Sequence, residues 1–270
     1  MNRRLLSFPF ILFLICGTIV PLLVIAFYGL TDRSGNFTLY NVLAIFSTEH
    51  FNALLLSLSL ALMSTLICFL LAFPLGLILR NSRIGSKGFI IFVFVLPMWM
   101  NFLLRTMAWQ MLLERGGFLS RFLVLLGFQP LEIMNTWIAV VLGMVYDYLP
   151  FMILPIYNSL VKIDERLIEA AYDLGANKLN VLIKIMLPLT VPGIVSGVTM
   201  VFVPSITTFA ISNMLGGGKI NLIGNIIEQE FTTGSNWNLG AGLSLVMMVF
   251  ILISMIFIEK FDRNGEGALI

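Results

Sequence analysis

Asp147 is the only acid and Arg105 the only base inside the long apolar runs of this sequence, and a charge at that depth needs a partner or a task. A bare carboxylate at the centre of a membrane helix costs about 2.5–3.5 kcal/mol on insertion scales. At the rise of an α-helix, Asp147 lies about 17 Å into its run and Arg105 about 12 Å from the outer end of its own, so the two can meet. A single acid cannot support paired-carboxylate hydrolysis, and no Ser/His pair lies at that depth, which argues against an intramembrane hydrolase. His50 sits in a polar connection with no second histidine to share a metal. Cys16 and Cys68 are far apart in apolar runs, lack CxxC or CxxH spacing, and read as small buried hydrophobes. Gly216-Gly217-Gly218-Lys219-Ile220 imitates a phosphate-binding loop, but that loop needs glycine where Asn213 stands and Ser or Thr where Ile220 stands. The chain shows no nucleotide machinery of its own.

Hydropathy sets the elements that must hold these residues. Of 270 residues, 59% are hydrophobic and 11% charged, against about 25% charged in a soluble domain. Mean hydropathy is +1.00. Unbroken runs longer than the roughly 20 residues that cross a bilayer predict helices; a barrel would show shorter, alternating runs. Six spans are expected, at about 8–30, 52–79, 89–113, 136–160, 189–213 and 240–258. Arg3 and Arg4 resemble the start of a signal peptide, but the run after them is too long for one and no A-x-A site follows, so it should remain as the first span. Eleven basic residues fall on one side (Arg3, Arg4, Arg80, Arg83, Lys87, Lys162, Arg166, Lys178, Lys184, Lys260 and Arg263) and four on the other (Arg33, Arg115, Arg121 and Lys219). The positive-inside rule then places both termini in the cytoplasm. No linker divides the spans, so residues 1–270 read as one all-α integral membrane domain. A net charge of +2 is too small to point to nucleic acid.

Residues 161–188, between the fourth and fifth spans, are too polar to cross a membrane and too patterned for a passive loop. Leu167, Ile168, Ala171 and Leu174 fall on one helical face, while Glu165, Glu169 and Asp173 line another at i, i+4 spacing. Gly175 is a natural helix stop, and Asn177 can cap a second short helix whose stripe is Leu179, Leu182, Ile183 and Met186. Pro188 then marks the start of the fifth span. The expectation is two short helices meeting at a glycine corner on the cytoplasmic face. Periodicity alone fits an amphipathic pair resting on its own membrane surface equally well. In the fifth span, Gly193 and Gly197 predict close helix packing and Pro204 a bend.

The order Glu169-Ala170-Ala171, three residues, Gly175, nine residues, Ile185, one residue, Leu187-Pro188 resembles the EAA motif of importer permeases, the membrane subunits of ABC uptake systems. The segments VYDYLPFMILPIYNSL (145–160), LPMWMNFLLRTMAW (96–109), LPLTVPGIVSG (187–197) and SNMLGGGKINLIGNIIEQEF (212–231) resemble the B-type permease subunit of spermidine/putrescine importers. The resemblance implies six transmembrane helices of the type I ABC importer permease fold, with 161–188 as a cytoplasmic coupling-helix loop. It implies that Glu169, Ala170, Ala171, Asp173, Gly175, Ile185 and Pro188 couple the chain to an ATPase. In that role the two alanines allow close approach, Glu169 pairs with a basic residue across the interface, and Gly175 sets the corner. Implied partners are a second, C-type permease, two ATPase subunits that use ATP and Mg, an external polyamine-binding protein and the lipid bilayer of a bacterial inner membrane. The chain itself would be non-catalytic and hold no cofactor.

A polyamine carries several protonated amines, so its passage should offer carboxylates and aromatic faces. Asp147, Tyr146, Tyr148, Trp99, Asn101 and Arg105 are the candidates for lining it, although core packing or interfacial anchoring also explains the tryptophans. Asp147 either touches a passing amine or pairs with Arg105; both remain open at this point. Glu228, Glu230 and Trp237, in the outer segment 214–239, either meet the binding protein, form a scoop at the mouth of the pathway, or belong to a solvated connection. Related six-span permeases carry phosphate, sulfate, iron or other organic ions, which keeps a different cargo as the alternative. A stand-alone secondary transporter would leave the EAA spacing unexplained.

Overall fold

A computed structural model describes residues 12–81 and 96–267. Arg3, Arg4, Arg83 and Lys87, the opening of the first expected span and residues 89–95 of the third lie outside the described residues. Among the described residues the fold is helical, and the β-structure is one isolated bridge between Thr31 and Phe37. Five helices are long and apolar enough to cross a bilayer: α1 (Leu12–Gly29), α2 (Thr48–Asn81), α5 (Trp137–Val161), α7 (Lys178–Thr207) and α10 (Trp237–Gly267). Shorter helices complete the chain: α3 (Phe102–Leu113), α4 (Phe118–Leu125), α6 (Glu165–Asp173), α8 (Ala210–Gly216) and α9 (Ile223–Thr232).

The centre is a three-helix core of α2, α5 and α7, with α10 against α7 and α1 leaning on α10. Small side chains allow the core helices to approach. The buried stripe of α2 includes Ala53, Ser57, Ala61, Ser64, Cys68, Ala72 and Gly76, spaced three or four residues apart. Its hydroxyls are satisfied locally, Ser57 donating to the Ala53 carbonyl at 2.8 Å and Thr65 to that of Ala61 at 2.7 Å. The expected glycine pair behaves in the same way. A Cβ on Gly193 would collide with the Pro155 carbonyl and the Ser159 hydroxyl, and one on Gly197 would meet the Met152 sulfur at 2.7 Å. Gly193→Val should therefore force α7 away from α5 and cost about 1–3 kcal/mol, read as a lower unfolding midpoint of the purified protein. An unchanged midpoint would show that the two helices do not rely on this approach.

Three expectations need correction. The second short helix of the elbow is not separate, because α7 runs unbroken from Lys178 to Thr207. Pro188 does not interrupt it, since a π-turn over Leu182–Met186 loosens the preceding backbone where the proline ring would press on the Lys184 carbonyl. The first span uses the same device, with a π-turn at Ile15–Ile19 ahead of Pro21. Second, the fifth span stops at Thr207 rather than 213; Thr208 is extended and the chain restarts as α8. Third, the described part of the third span is not one helix. A 3-10 turn at Leu96–Trp99 is followed by α3, whose first turn is capped by Asn101, the side-chain oxygen accepting from the Leu103 amide at 2.8 Å.

Polar contacts tie the helices together near both ends of the bundle. At one end Arg80 donates to the Ile163 carbonyl at 3.1 Å, joining the end of α2 to the turn between α5 and α6. At the other, Asn238 donates to the Thr31 carbonyl at 2.7 Å and the Ile223 amide to the Ser57 hydroxyl at 2.8 Å.

Candidate functional site

The depth placed on Asp147 and Arg105 by helical rise brings them together. Arg105 Nη1 lies 3.3 Å from Asp147 Oδ1, with side-chain exposures of 6% and 3%. The Thr106 hydroxyl stands 3.2 Å from Asp147 Oδ2 and 2.9 Å from the Phe102 carbonyl, and its one proton serves one of them at a time. The ion pair is not well made. Its one close contact is the 3.3 Å approach of Nη1 to Oδ1, and Arg105 Nε meets no protein acceptor, whereas a well-formed guanidinium–carboxylate pair closes to about 2.7–2.9 Å, often through two parallel bonds.

Beside the pair is a cavity of about 360 Å³, walled by Phe102 and Arg105 from α3, Asp147, Tyr148 and Phe151 from α5, and Pro204 to Ala210 from the break between α7 and α8. The Tyr148 hydroxyl donates to the Pro204 carbonyl at 3.4 Å. Of the six residues expected to line a pathway, Arg105, Asp147 and Tyr148 therefore meet. Tyr146 turns the other way: its ring stacks edge-on to Trp109 at 5.3 Å and lines a separate apolar cavity with Met63 and Trp137. Trp99 is 77% exposed, and Asn101 is the helix cap already described. The sequence reading missed Phe102, Phe151 and Phe209. Phe102 is three residues before Arg105 and Phe151 four after Asp147, so helical spacing nominates both; Phe209 arrives through the helix break, which has no such local signal.

That break is held by Asn225, a second residue not singled out from sequence. Its side-chain oxygen accepts from the Ser212 hydroxyl at 2.6 Å and the Leu222 amide at 2.9 Å. Its nitrogen donates to Asn213 Oδ1 at 2.6 Å and the Phe209 carbonyl at 3.1 Å. Gly224 completes the joint, since a Cβ there would lie 2.7 Å from the Thr207 carbonyl oxygen and 2.8 Å from that of Thr208. Segment 208–232 is thus a tied helical hairpin. Trp237 packs against Phe231 at 5.8 Å and Tyr28 at 6.3 Å, fastening α1, α9 and α10 together at this end. Glu228 and Glu230 are half-buried on α9, away from the ion pair; Glu228 lines an apolar cavity of about 580 Å³ between α7, α9 and α10.

The elbow between α5 and α7 is fixed by its caps. Asp164 accepts from the Arg166 amide at 3.0 Å, and Asn177 from the Asn180 amide at 2.8 Å. Gly175 takes φ +83° and ends α6 with paired bonds, its own amide to the Tyr172 carbonyl at 2.9 Å and the Ala176 amide to that of Ala171 at 3.0 Å. The expected coupling residues divide into two groups. Glu169, Ala170, Asp173 and Gly175 are exposed, while Ala171 is buried in the chain's own core and Ile185 and Pro188 are half-buried. Adjacent helical positions point about 100° apart, so only one of the two alanines faces outward. The expected apolar face splits as well: Ile168 and Ala171 pack inward, but Leu167 is exposed and Leu174 is 89% exposed.

Long crossing helices with a capped elbow between two of them define an ABC-importer permease fold. The chain superposes on one from a bacterial alginate ABC transporter, solved with an alginate pentasaccharide-bound periplasmic protein, with TM-score 0.82, 15% identity, and coverage of 97% of this chain and 93% of that one. An inward-facing MetNI methionine ABC transporter gives TM-score 0.54 at 20% identity, covering 80% of this chain and 94% of that one. The chain belongs to the binding-protein-dependent transport system inner membrane component family, whose pattern matches residues 72–264. It is 37% identical over 253 residues to the spermidine/putrescine transport system permease protein PotB of Haemophilus influenzae, covering 91% of this chain and 88% of the relative. It is 38% identical over 229 residues to PotB of Escherichia coli, covering 84% and 83%.

Proposed function

We propose that this chain is the B-type permease of an ATP-driven polyamine importer, forming half of the pathway for spermidine or putrescine and hydrolysing nothing itself. The observation that carries the cargo is identity of 37–38% to spermidine/putrescine permeases, sustained over more than four-fifths of both chains. In this reading a C-type permease supplies the other half of the pathway, an external binding protein delivers the cation, and two ATPase subunits use ATP and Mg. The elbow and both termini face the cytoplasm of a bacterial cell. The exposed face of α6 suits docking: Leu167, Ala170 and Leu174 make an apolar centre, bordered by Glu169 and Asp173. Leu167, Ala170 and Leu174 together, rather than any one of them, form the exposed patch that a partner would cover. The outer hairpin 208–232 and the Trp237 cluster stand at the mouth where the binding protein would arrive.

Co-purification tests the assembly. Tagged protein should bring down a second permease and an ATPase, and Glu169→Lys should reduce the recovered ATPase about tenfold or more through a mismatched charge at the docking face. Cells or vesicles carrying the complex should take up labelled spermidine in preference to phosphate or sulfate. A lone chain that transports at full rate would overturn the reading.

A further inference from the structure

We propose that Arg105 is a tethered stand-in for the cargo: an ammonium group crossing the membrane displaces its guanidinium from Asp147 and occupies the adjoining cavity. This rests on the polyamine reading above and adds a site and an order of events to it. The ion pair has the properties of a contact made to be exchanged. It is made through a single contact of 3.3 Å, between Arg105 Nη1 and Asp147 Oδ1, and Arg105 Nε meets no protein acceptor. A guanidinium held through two parallel bonds is harder to part from its carboxylate than one held through a single contact. Beside the pair is a cavity of about 360 Å³, large enough to admit an alkylammonium arm.

The walls select a cation. Phe102, Phe151 and Phe209 line the cavity with aromatic rings, whose faces attract cations, and the Pro204 carbonyl adds an acceptor. The reverse exchange, an anion taking Arg105 from Asp147, would place negative charge among these same rings and carbonyl and is disfavoured. The exchange keeps Asp147 paired at both ends of the step. With no cargo, Arg105 balances Asp147; with an ammonium on Asp147, the freed guanidinium can stack on an aromatic face at less cost than a lysine, being planar and weakly hydrated. The loaded site then carries one net positive charge, with the carboxylate paired to the ammonium and the guanidinium resting on a ring face. A compact ammonium suits a single carboxylate oxygen, whereas the guanidinium fork here makes only one close approach and so gives it up readily.

Two neutral replacements of the whole pair test this in the assembled transporter: Arg105→Gln with Asp147→Asn, which can hydrogen-bond, and Arg105→Met with Asp147→Leu, which is apolar. Replacing a buried ion pair by matched neutral residues is often harmless to folding, so the yield of complex should hold for at least one of them. With that yield unchanged, ATP-driven spermidine uptake at saturating loaded binding protein should fall about tenfold or more, the effect of losing one strong transition-state contact. Uptake within twofold of wild type in a well-assembled double variant overturns the exchange. Failure of both double variants to assemble makes the pair structural and overturns it as well. A wild-type complex that moves no polyamine overturns the underlying reading, and is recognised before any variant is examined.

Discussion

Asp147→Ala, with Arg105 left in place, is expected to strip about 3–5 kcal/mol from the folded protein. The loss is not the worth of the ion pair, which is poorly closed. It is the cost of leaving a guanidinium, 6% exposed, with no carboxylate beside it. The cavity compounds the loss, because its aromatic walls offer ring faces but no second acid. The measurement is the unfolding midpoint of the purified chain, with Asp147→Ala compared against the apolar pair Arg105→Met with Asp147→Leu. The single variant should melt well below wild type and the double variant close to it. Equal melting of all three would mean that water already solvates this site, and that the burial described for the pair is wrong.

Asn225→Leu should be nearly as damaging, at about 3 kcal/mol or more, although it changes little volume. One amide side chain here satisfies the Ser212 hydroxyl, the Leu222 amide, the Phe209 carbonyl and the Asn213 side chain. Removing a shared partner strands several polar groups at once, at about 1–3 kcal/mol for each that finds no water. Hairpin 208–232 should then open locally before the bundle melts, which limited proteolysis detects as early cleavage within that segment. Cleavage and melting that track wild type would show that the break at Thr208 is held by something other than this network.

The sequence was most readable where one local rule had no rival. Apolar run length alone calls for long helices where α2 and α5 lie, while α10 continues past its apolar run. Side-chain chemistry marked Asn177 and Gly175 as caps of the elbow, because a short polar side chain or a missing Cβ acts within its own turn. It was less readable where two local rules competed. Pro188 marks a helix start, but a π-turn can absorb a proline, and no residue type announces a π-turn. The segment after Thr207 is apolar enough to continue a span, yet its backbone turns aside to be met by Asn225 from 16 residues beyond Phe209. In the same way, Tyr146 and Tyr148 flank Asp147 in the chain but not in space. The pairing of Asp147 with Arg105 lay within reach of helical arithmetic; the aromatic walls around them needed the tertiary fold.

The unbroken run of α7 has a mechanical result. Its 30 residues, from Lys178 at the elbow to Thr207 beside the ion pair, make an oar about 45 Å long, pivoted where Gly193 and Gly197 press on α5. About that pivot a swing of about 5° moves the blade by roughly 1.6 Å against α5 while the grip moves about 2 Å the other way. Thr207 lines the cavity beside the ion pair, so a modest push on the handle is carried by the rigid helix to the chamber at the far end.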